Sequence, residues 1–239
     1  MKSNWMGAFC LGVALTQASQ AANLFSNASF ETGSMSSTTT FAGGTSSTAA
    51  NSSITGWSFA PSDNSNGGQT ERYISSSKAK DGTDFVYLST INTVTGNNAC
   101  LGFSPGLSFT IGQVYQFSIW AADAGSSGTL PQLAVEMSLS NGSTVNLTSV
   151  LPKNTAWSDS ALTTIPWVQY TFNWTATATA ANMWWSASVT NGATAGSVAS
   201  LVIDNASVAP VPEASTVAAM VFAAGATGYT VWRRRSKKV

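Results

Sequence analysis

Seven tryptophans stand between residues 22 and 209: Trp57, Trp120, Trp157, Trp167, Trp174, Trp184 and Trp185. Sugar rings present flat apolar faces that stack on aromatic rings, and Asn, Gln and Asp side chains supply partners for sugar hydroxyls. Each tryptophan is also a large core residue, and packing claims most of them. The adjacent pair Trp184–Trp185 separates the two roles. On a strand, successive side chains point to opposite faces, so one indole faces the core and the other faces out. An outward indole beside the polar Gln169 and Asn173 would make a stacking platform. Trp157 follows the turn-forming "LPKNTA", and loops are common places for ligand contacts. Trp157, Trp184, Trp185, Gln169 and Asn173 are therefore the candidate ligand-binding residues.

Catalytic chemistry has less to stand on. Glycoside hydrolysis needs two carboxylates about 5–10 Å apart, and the region holds Glu31, Asp63, Glu71, Asp81, Asp84, Asp123, Glu136, Asp159 and Asp204. None of them lies in a catalytic motif. There is no G-x-S-x-G elbow, no phosphate-cradling glycine loop and no H-E-x-x-H. The chain has 0 histidines, which removes the commonest general base and metal ligand. "DGTDF" (81–85) reads as a turn feeding a strand, since Asp-Gly is a turn pair. Cys100 stands alone once Cys10 is lost with the N-terminal stretch, so it has no disulfide partner and reads as a small buried thiol. The sequence points to a protein that binds, not one that turns over substrate.

Charged residues make up 8% of the chain, against roughly 25% in an ordinary soluble domain. They are also segregated. Arg233, Arg234, Arg235, Lys237 and Lys238 crowd the last seven positions, and Lys2 sits at the other end. Between the two ends only Arg72, Lys78, Lys80 and Lys153 face the nine acids, a net charge of about −5 at neutral pH. Nucleic-acid binding needs a basic patch, so nucleic acid is excluded as a partner.

Residues 1–21 read as a secretory signal peptide. Lys2 gives a basic start, "WMGAFCLGVAL" an apolar core, and "TQASQA" a small-residue end with cleavage after Ala21. The partners implied are the Sec translocon and signal peptidase. At the other end, Thr216 to Trp232 carries no charged side chain. Its seventeen residues span roughly 26 Å as a helix, enough to cross a bilayer core. "RRRSKK" after it stays cytoplasmic by the positive-inside rule. Pro210 and Pro212 keep "VPE" extended and open to a protease.

This end resembles the PEP-CTERM sorting signal. Val211-Pro212-Glu213 matches the motif, the apolar stretch the transmembrane helix, and Arg233, Arg234 and Arg235 the basic anchor. The resemblance covers 210–239. It implies that an exosortase cuts near the motif and passes the protein to the cell surface or an exopolysaccharide matrix. The membrane is then met only transiently. A plain single-pass tail anchor is the alternative.

Between the ends, short alternating runs recur, separated by Gly, Asn, Ser and Pro. "DFVYLSTI" (84–91), "VYQFSIWAA" (114–122), "QLAVEMSLS" (132–140), "VQYTFNWTA" (168–176), "MWWSASVT" (183–190) and "SLVIDNASV" (200–208) have the period of two that a half-buried strand requires. Tyr115, Phe117 and Ile119 fall on one face, as do Leu133, Val135, Met137 and Leu139, and Tyr170, Phe172 and Trp174. Six or more such strands predict an all-β, two-sheet antiparallel sandwich over 22–209. The Ser/Thr-rich stretch 34–53 reads as a long exposed loop, a place where O-linked sugars could sit.

The ordered set "NLFSNASFETG" (23–33), "ITGW" (54–57), "DGTDFVYLS" (81–89), "WVQYTFNWTA" (167–176) and "LVIDNASV" (201–208) resembles the galactose-binding-like jelly-roll domains, carbohydrate-binding modules among them. The resemblance implies that the first and last strands lie close together. It also implies a structural calcium ion there, held by the carboxylates of Glu31 and Asp204 with a carbonyl near Gly33. The alternative is a surface Glu and a turn-bonded Asp. The resulting expectation is an exported, exosortase-processed, non-catalytic surface or matrix protein that binds polysaccharide. A structural matrix component without a ligand is the rival.

Overall fold

The computed structural model describes residues 22–36, 39–41, 44–48, 52–60, 69–91, 100–126, 130–152, 165–189 and 197–212. All the regular structure among them is strand. Two seven-stranded sheets result. The first runs β1 (Gly33–Met35), β4 (Ser52–Ile54), β5 (Trp57–Ala60), β8 (Cys100–Ser108), β13 (Ala180–Val189), β10 (Pro131–Leu139) and β11 (Thr144–Val150). The second runs β12 (Val168–Thr175), β9 (Val114–Asp123), β14 (Val198–Pro210), β7 (Asp84–Ile91), β6 (Gln69–Ile74), β3 (Gly44–Thr48) and β2 (Thr39–Phe41). The ladders β1–β4–β5–β8–β13–β10–β11, β12–β9 and β14–β7–β6–β3–β2 are antiparallel. The six strands predicted from alternation are β7, β9, β10, β12, β13 and β14.

Alternation decides which side of each sheet is apolar. Phe117 and Ile119 of β9, Val86 and Leu88 of β7 and Leu201 and Ile203 of β14 are fully buried. From the other sheet come Leu101 of β8, Leu133, Val135 and Met137 of β10, and Met183 and Trp185 of β13. These side chains make one continuous core. Phe172 on β12 and Trp185 on β13 meet across it with ring centroids 6.3 Å apart. Each such side chain withdrawn from water contributes roughly 1.5–3 kcal/mol. A second, smaller cluster of Tyr73, Phe85, Ala122, Ala124, Ile165 and Val202 lies outside this core. Phe85 alternates with the inward Val86 and Leu88 and so faces away from the main core. Residues Asn23–Ala209 form one compact unit.

The stretch 34–53 departs from the expected loop. It carries β1, β2, β3 and β4 or parts of them, with β1 paired to β4 and β3 paired to β6. Thr and Ser lack the apolar alternation that betrays a strand, yet β-branched Thr suits extended backbone and short edge strands need little core. The expected leader 1–21, Glu213, the apolar stretch 216–232 and Arg233, Arg234 and Arg235 lie outside the described residues.

Phe30 shows how the opening segment is fixed. Its φ is 62°, in the left-handed region that bulky residues avoid. Its ring is fully buried and meets Trp57 edge-on at 5.1 Å, which offsets the backbone strain. Phe30→Ala is expected to cost about 3–5 kcal/mol in urea denaturation. Phe30→Gly should be no worse than alanine, because glycine tolerates the positive φ. Alanine clearly more stable than glycine would contradict this account.

Candidate functional site

Two places concentrate polar chemistry, and the first closes the chain on itself. Residues 23–31 run beside β14. Leu24 N–H donates to Val208 O at 2.9 Å and Ala206 N–H to Ala28 O at 2.9 Å. Asn23 adds two bonds, Nδ2 to Ala206 O at 3.0 Å and Val208 N–H to its Oδ1 at 2.9 Å. The expected closeness of the first and last segments is therefore present. Asn27 and Asn205 take the left-handed turns, at φ 51° and 48°, which short polar side chains accommodate.

Both predicted carboxylates reach one segment, Lys80–Asp84. Asp204 Oδ2 accepts from the Lys80 and Asp81 N–H groups at 2.8 and 3.0 Å, and its Oδ1 from Asn205 N–H at 2.6 Å. Glu31 Oε1 accepts from Thr83 and Asp84 N–H at 2.8 and 2.9 Å, and its Oε2 from the Thr83 hydroxyl at 2.8 Å. Gly82 makes this approach possible. Its φ is +65°, and a Cβ there would stand 2.3 Å from the Glu31 carboxyl carbon.

Arg72 is the residue that the sequence reading missed. It is buried on β6, and its Nε donates to Asp84 Oδ2 at 2.7 Å, with Nη2 on the same oxygen. Nη1 takes the Ser53 carbonyl at 3.2 Å and Nη2 the Glu31 carbonyl at 3.3 Å. A signal existed: Arg72 is the sole arginine between the two terminal segments. Alternation along "QTERYI" also puts it on the same side as Thr70 and Ile74.

The calcium set divides on these contacts. Asp204 is fully buried and has Asp81 as a like-charged neighbour, and among the described residues no salt bridge reaches it. That carboxylate is a suitable ligand for a hard cation. The Gly33 side is different. A Cβ on Gly33 would lie 2.8 Å from Arg72 Nη1, so the guanidinium already supplies positive charge to the carbonyls there. Among the described residues no group of three or more His, Cys, Asp or Glu gathers around one point.

The second place is the outer face of the first sheet. Trp185 is fully buried, with an unpaired indole N–H, while Trp184 points out and is half-buried. Register aligns Ser58 on β5, Gly102 on β8, Trp184 on β13, Glu136 on β10 and Asn146 on β11 in one row across five strands. Gly102 leaves room for the indole: a Cβ there would come within 2.7 Å of its Cδ1 and Nε1. Glu136 Oε1 accepts from the Ser186 hydroxyl at 2.6 Å. Ser58 and Asn146 are exposed.

Gln169 and Asn173 do not join this row. They are exposed on β12, in the other sheet, opposite Trp120 and Gln116 of β9. They point away from the shared core on its far side, because β12 neighbours β9 and not β13. The aromatic beside Gln169 is Trp120, whose ring is covered by Lys80 Nζ at 3.9 Å from its centroid. Trp57 and Trp174 are core residues and Trp167 is half-buried with its N–H on Lys78 O at 2.9 Å. Trp157 lies outside the described residues.

No protein-family model matches the chain, and no curated protein does. Solved structures match in fold. An arabinose-bound GH51 α-L-arabinofuranosidase aligns with a TM-score of 0.52 at 15% identity over 81% of this chain, and the chain spans only 27% of that enzyme. A cyclase from Fischerella sp. TAU, in complex with 4-(1H-indol-3-yl)butan-2-one, aligns with a TM-score of 0.50 at 11% identity over 80% of this chain and 98% of its own. A structure described as "CBM4 structure and function" aligns at 13% identity with a TM-score of 0.43, over 78% of this chain and 99% of its own. At these identities the likeness is one of fold.

Burial pushes the Asp204 carboxyl up from 3.8 to about 7, with neighbouring Asp81 adding to the rise and the three N–H donors opposing it. The folded state thus keeps a proton that the unfolded chain releases near the ordinary carboxyl value of 3.8. This contribution to stability is present at low pH and is lost as pH rises through about 7. In EDTA, the wild-type melting temperature should fall between pH 5 and 8 more steeply than that of Asp204→Asn. Parallel slopes for the two proteins would refute the assignment.

Proposed function

We propose that the chain is an exported, non-catalytic surface or matrix protein that binds polysaccharide on the outer face of its first sheet. The carrying observation is the row Ser58–Gly102–Trp184–Glu136–Asn146. It sets one half-exposed indole among side chains that donate and accept hydrogen bonds, as a sugar ring with its hydroxyls requires. The two-sheet sandwich behind it supports the galactose-binding-like jelly roll that the sequence motifs resemble. The non-catalytic part of the reading rests on the sequence, which carries no catalytic motif; the strands of this face contain Glu136 as their one acid.

Export rests on the leader 1–21 and on the tripartite end. Val211 and Pro212 follow β14, and Glu213, the apolar stretch and the arginines come after them. On this reading the Sec translocon and signal peptidase process the N-terminus, and an exosortase cuts at Val211-Pro212-Glu213. The product then joins the exopolysaccharide. Calcium belongs to the same reading, held by the Asp204 and Glu31 carboxylates at the chain-end tie, where it would supply the positive charge that buried Asp204 lacks. The pH series described above, repeated with calcium in place of EDTA, tests it. Calcium should raise the melting temperature at pH 8, and identical curves would end the calcium reading.

Affinity electrophoresis of the full chain against a polysaccharide panel tests the binding claim. At least one polymer should retard the protein, and Trp184→Ala should weaken that retardation about tenfold or more while leaving the melting temperature within a few degrees. Silence across the panel by a folded protein would favour the structural matrix component. Mass spectrometry of surface-recovered protein should find Ala22 at the N-terminus and the arginine cluster gone. An intact C-terminus would favour the tail anchor.

A further inference from the structure

We infer that the glycan seated on this face is uncharged, or at most carries amino groups, and is not a uronate, sulfate or phosphate polymer. The inference rests on the polysaccharide reading and goes on to the charge class of the ligand. The seven strands of the first sheet contain one charged side chain, Glu136, and no lysine or arginine. A polyanion is held by guanidinium or ammonium groups that match its oxyanions. Here the one acidic side chain would repeat the ligand's own sign, and it stands directly opposite Trp184 in register. The segment between the two ends is itself acidic, at about −5, so long-range attraction cannot compensate.

What the face does offer is matched to hydroxyls. Trp184 is half-buried as a residue, and its indole N–H has no hydrogen-bond partner among the described residues, a donor ready for a sugar oxygen. The Glu136 carboxylate already accepts one hydroxyl, from Ser186 at 2.6 Å, which shows the chemistry it takes. Asn146 and Asn182 are exposed amides, each able to donate and accept. Across the row, four strand spacings give roughly 19 Å, room for a short stretch of chain on both sides of the indole. Gly102 is a positioning residue in this scheme. It touches no ligand but leaves space for the Cδ1–Nε1 edge, so a methyl there must displace the platform.

The test uses the full chain, its Glu136→Gln, Glu136→Lys, Gly102→Ala and Trp184→Ala variants, and two panels. The neutral panel is dextran, galactan, mannan, xylan and β-glucan. The acidic panel is polygalacturonate, alginate and hyaluronate. Wild type should bind a neutral polymer at least about tenfold more tightly than any acidic one at low salt. Trp184→Ala and Gly102→Ala should both weaken the neutral complex. Glu136→Lys should gain salt-sensitive binding to the acidic panel, and Glu136→Gln should show no such gain. Melting curves confirm that each variant is folded. Wild type bound to the acidic panel with the neutral panel silent would overturn the charge class and leave the polysaccharide reading standing. Silence on both panels would overturn that reading and this inference together. Unchanged neutral binding by both Trp184→Ala and Gly102→Ala would move the site off this face and end the inference.

Discussion

The architecture depends on closing residues 23–31 against β14 through the segment Lys80–Asp84. Two carboxylates remote in sequence, Glu31 and Asp204, accept N–H donors from that one turn. The buried pair of Arg72 and Asp84 stands beside them. Burying Asp204, Arg72 and Asp84 in isolation would be costly, and only dense hydrogen bonding makes it tolerable, while Glu31 stays exposed at the rim. Here each carboxylate oxygen of Glu31 and Asp204 has at least one donor, and the guanidinium reaches three oxygens on Ser53, Glu31 and Asp84. A protein with very few charges has committed Glu31, Arg72, Asp81, Asp84 and Asp204 to this one junction.

That commitment explains the character of the surface. With most charges drawn to the closure, the strands of the first sheet are left nearly neutral, and their outer side is mostly Ser, Thr, Asn and Gln, with Glu136 and Val150, around a single indole. Water competes well with a lone hydroxyl contact, so affinity on such a face needs an apolar element to anchor the ligand. On the proposed reading Trp184 is that element. Trp120, on the other sheet, is matched by a lysine over its ring and so is satisfied within the molecule. The two tryptophans therefore differ in availability more than in exposure.

Much of the fold was legible because alternation is a backbone property. β9, β10, β12, β13 and β14 each carry three or more apolar residues two apart and β7 carries pairs, and the structure keeps the faces predicted for β9, β10 and β12. β8 was hidden by Gly102, Pro105 and Gly106, residues that argue against a strand. Gly106 has φ +99°, and the β13 register shifts between Ala181 and Met183, so the strand survives through a local irregularity. β1 to β4 were hidden by Ser and Thr, which look the same in a loop and at a sheet edge. At the site, the opposed faces of Trp184 and Trp185 followed from strand geometry alone. Strand order did not, so Gln169 and Asn173 were joined to the wrong tryptophan. Arg72 and Gly102 act through distant partners, and only the assembled sheets reveal what they hold.

The central claim is that one indole on the first sheet carries the ligand. Side-chain ¹⁵N–¹H resonances of the tryptophans report it directly, with Trp184 assigned by loss of its peak in Trp184→Phe. Titration with a neutral oligosaccharide taken from the best-binding polymer should shift or broaden the Trp184 indole peak first, and leave those of Trp120 and Trp167 in place. Movement of the Trp120 or Trp167 peak with Trp184 unmoved would contradict the account.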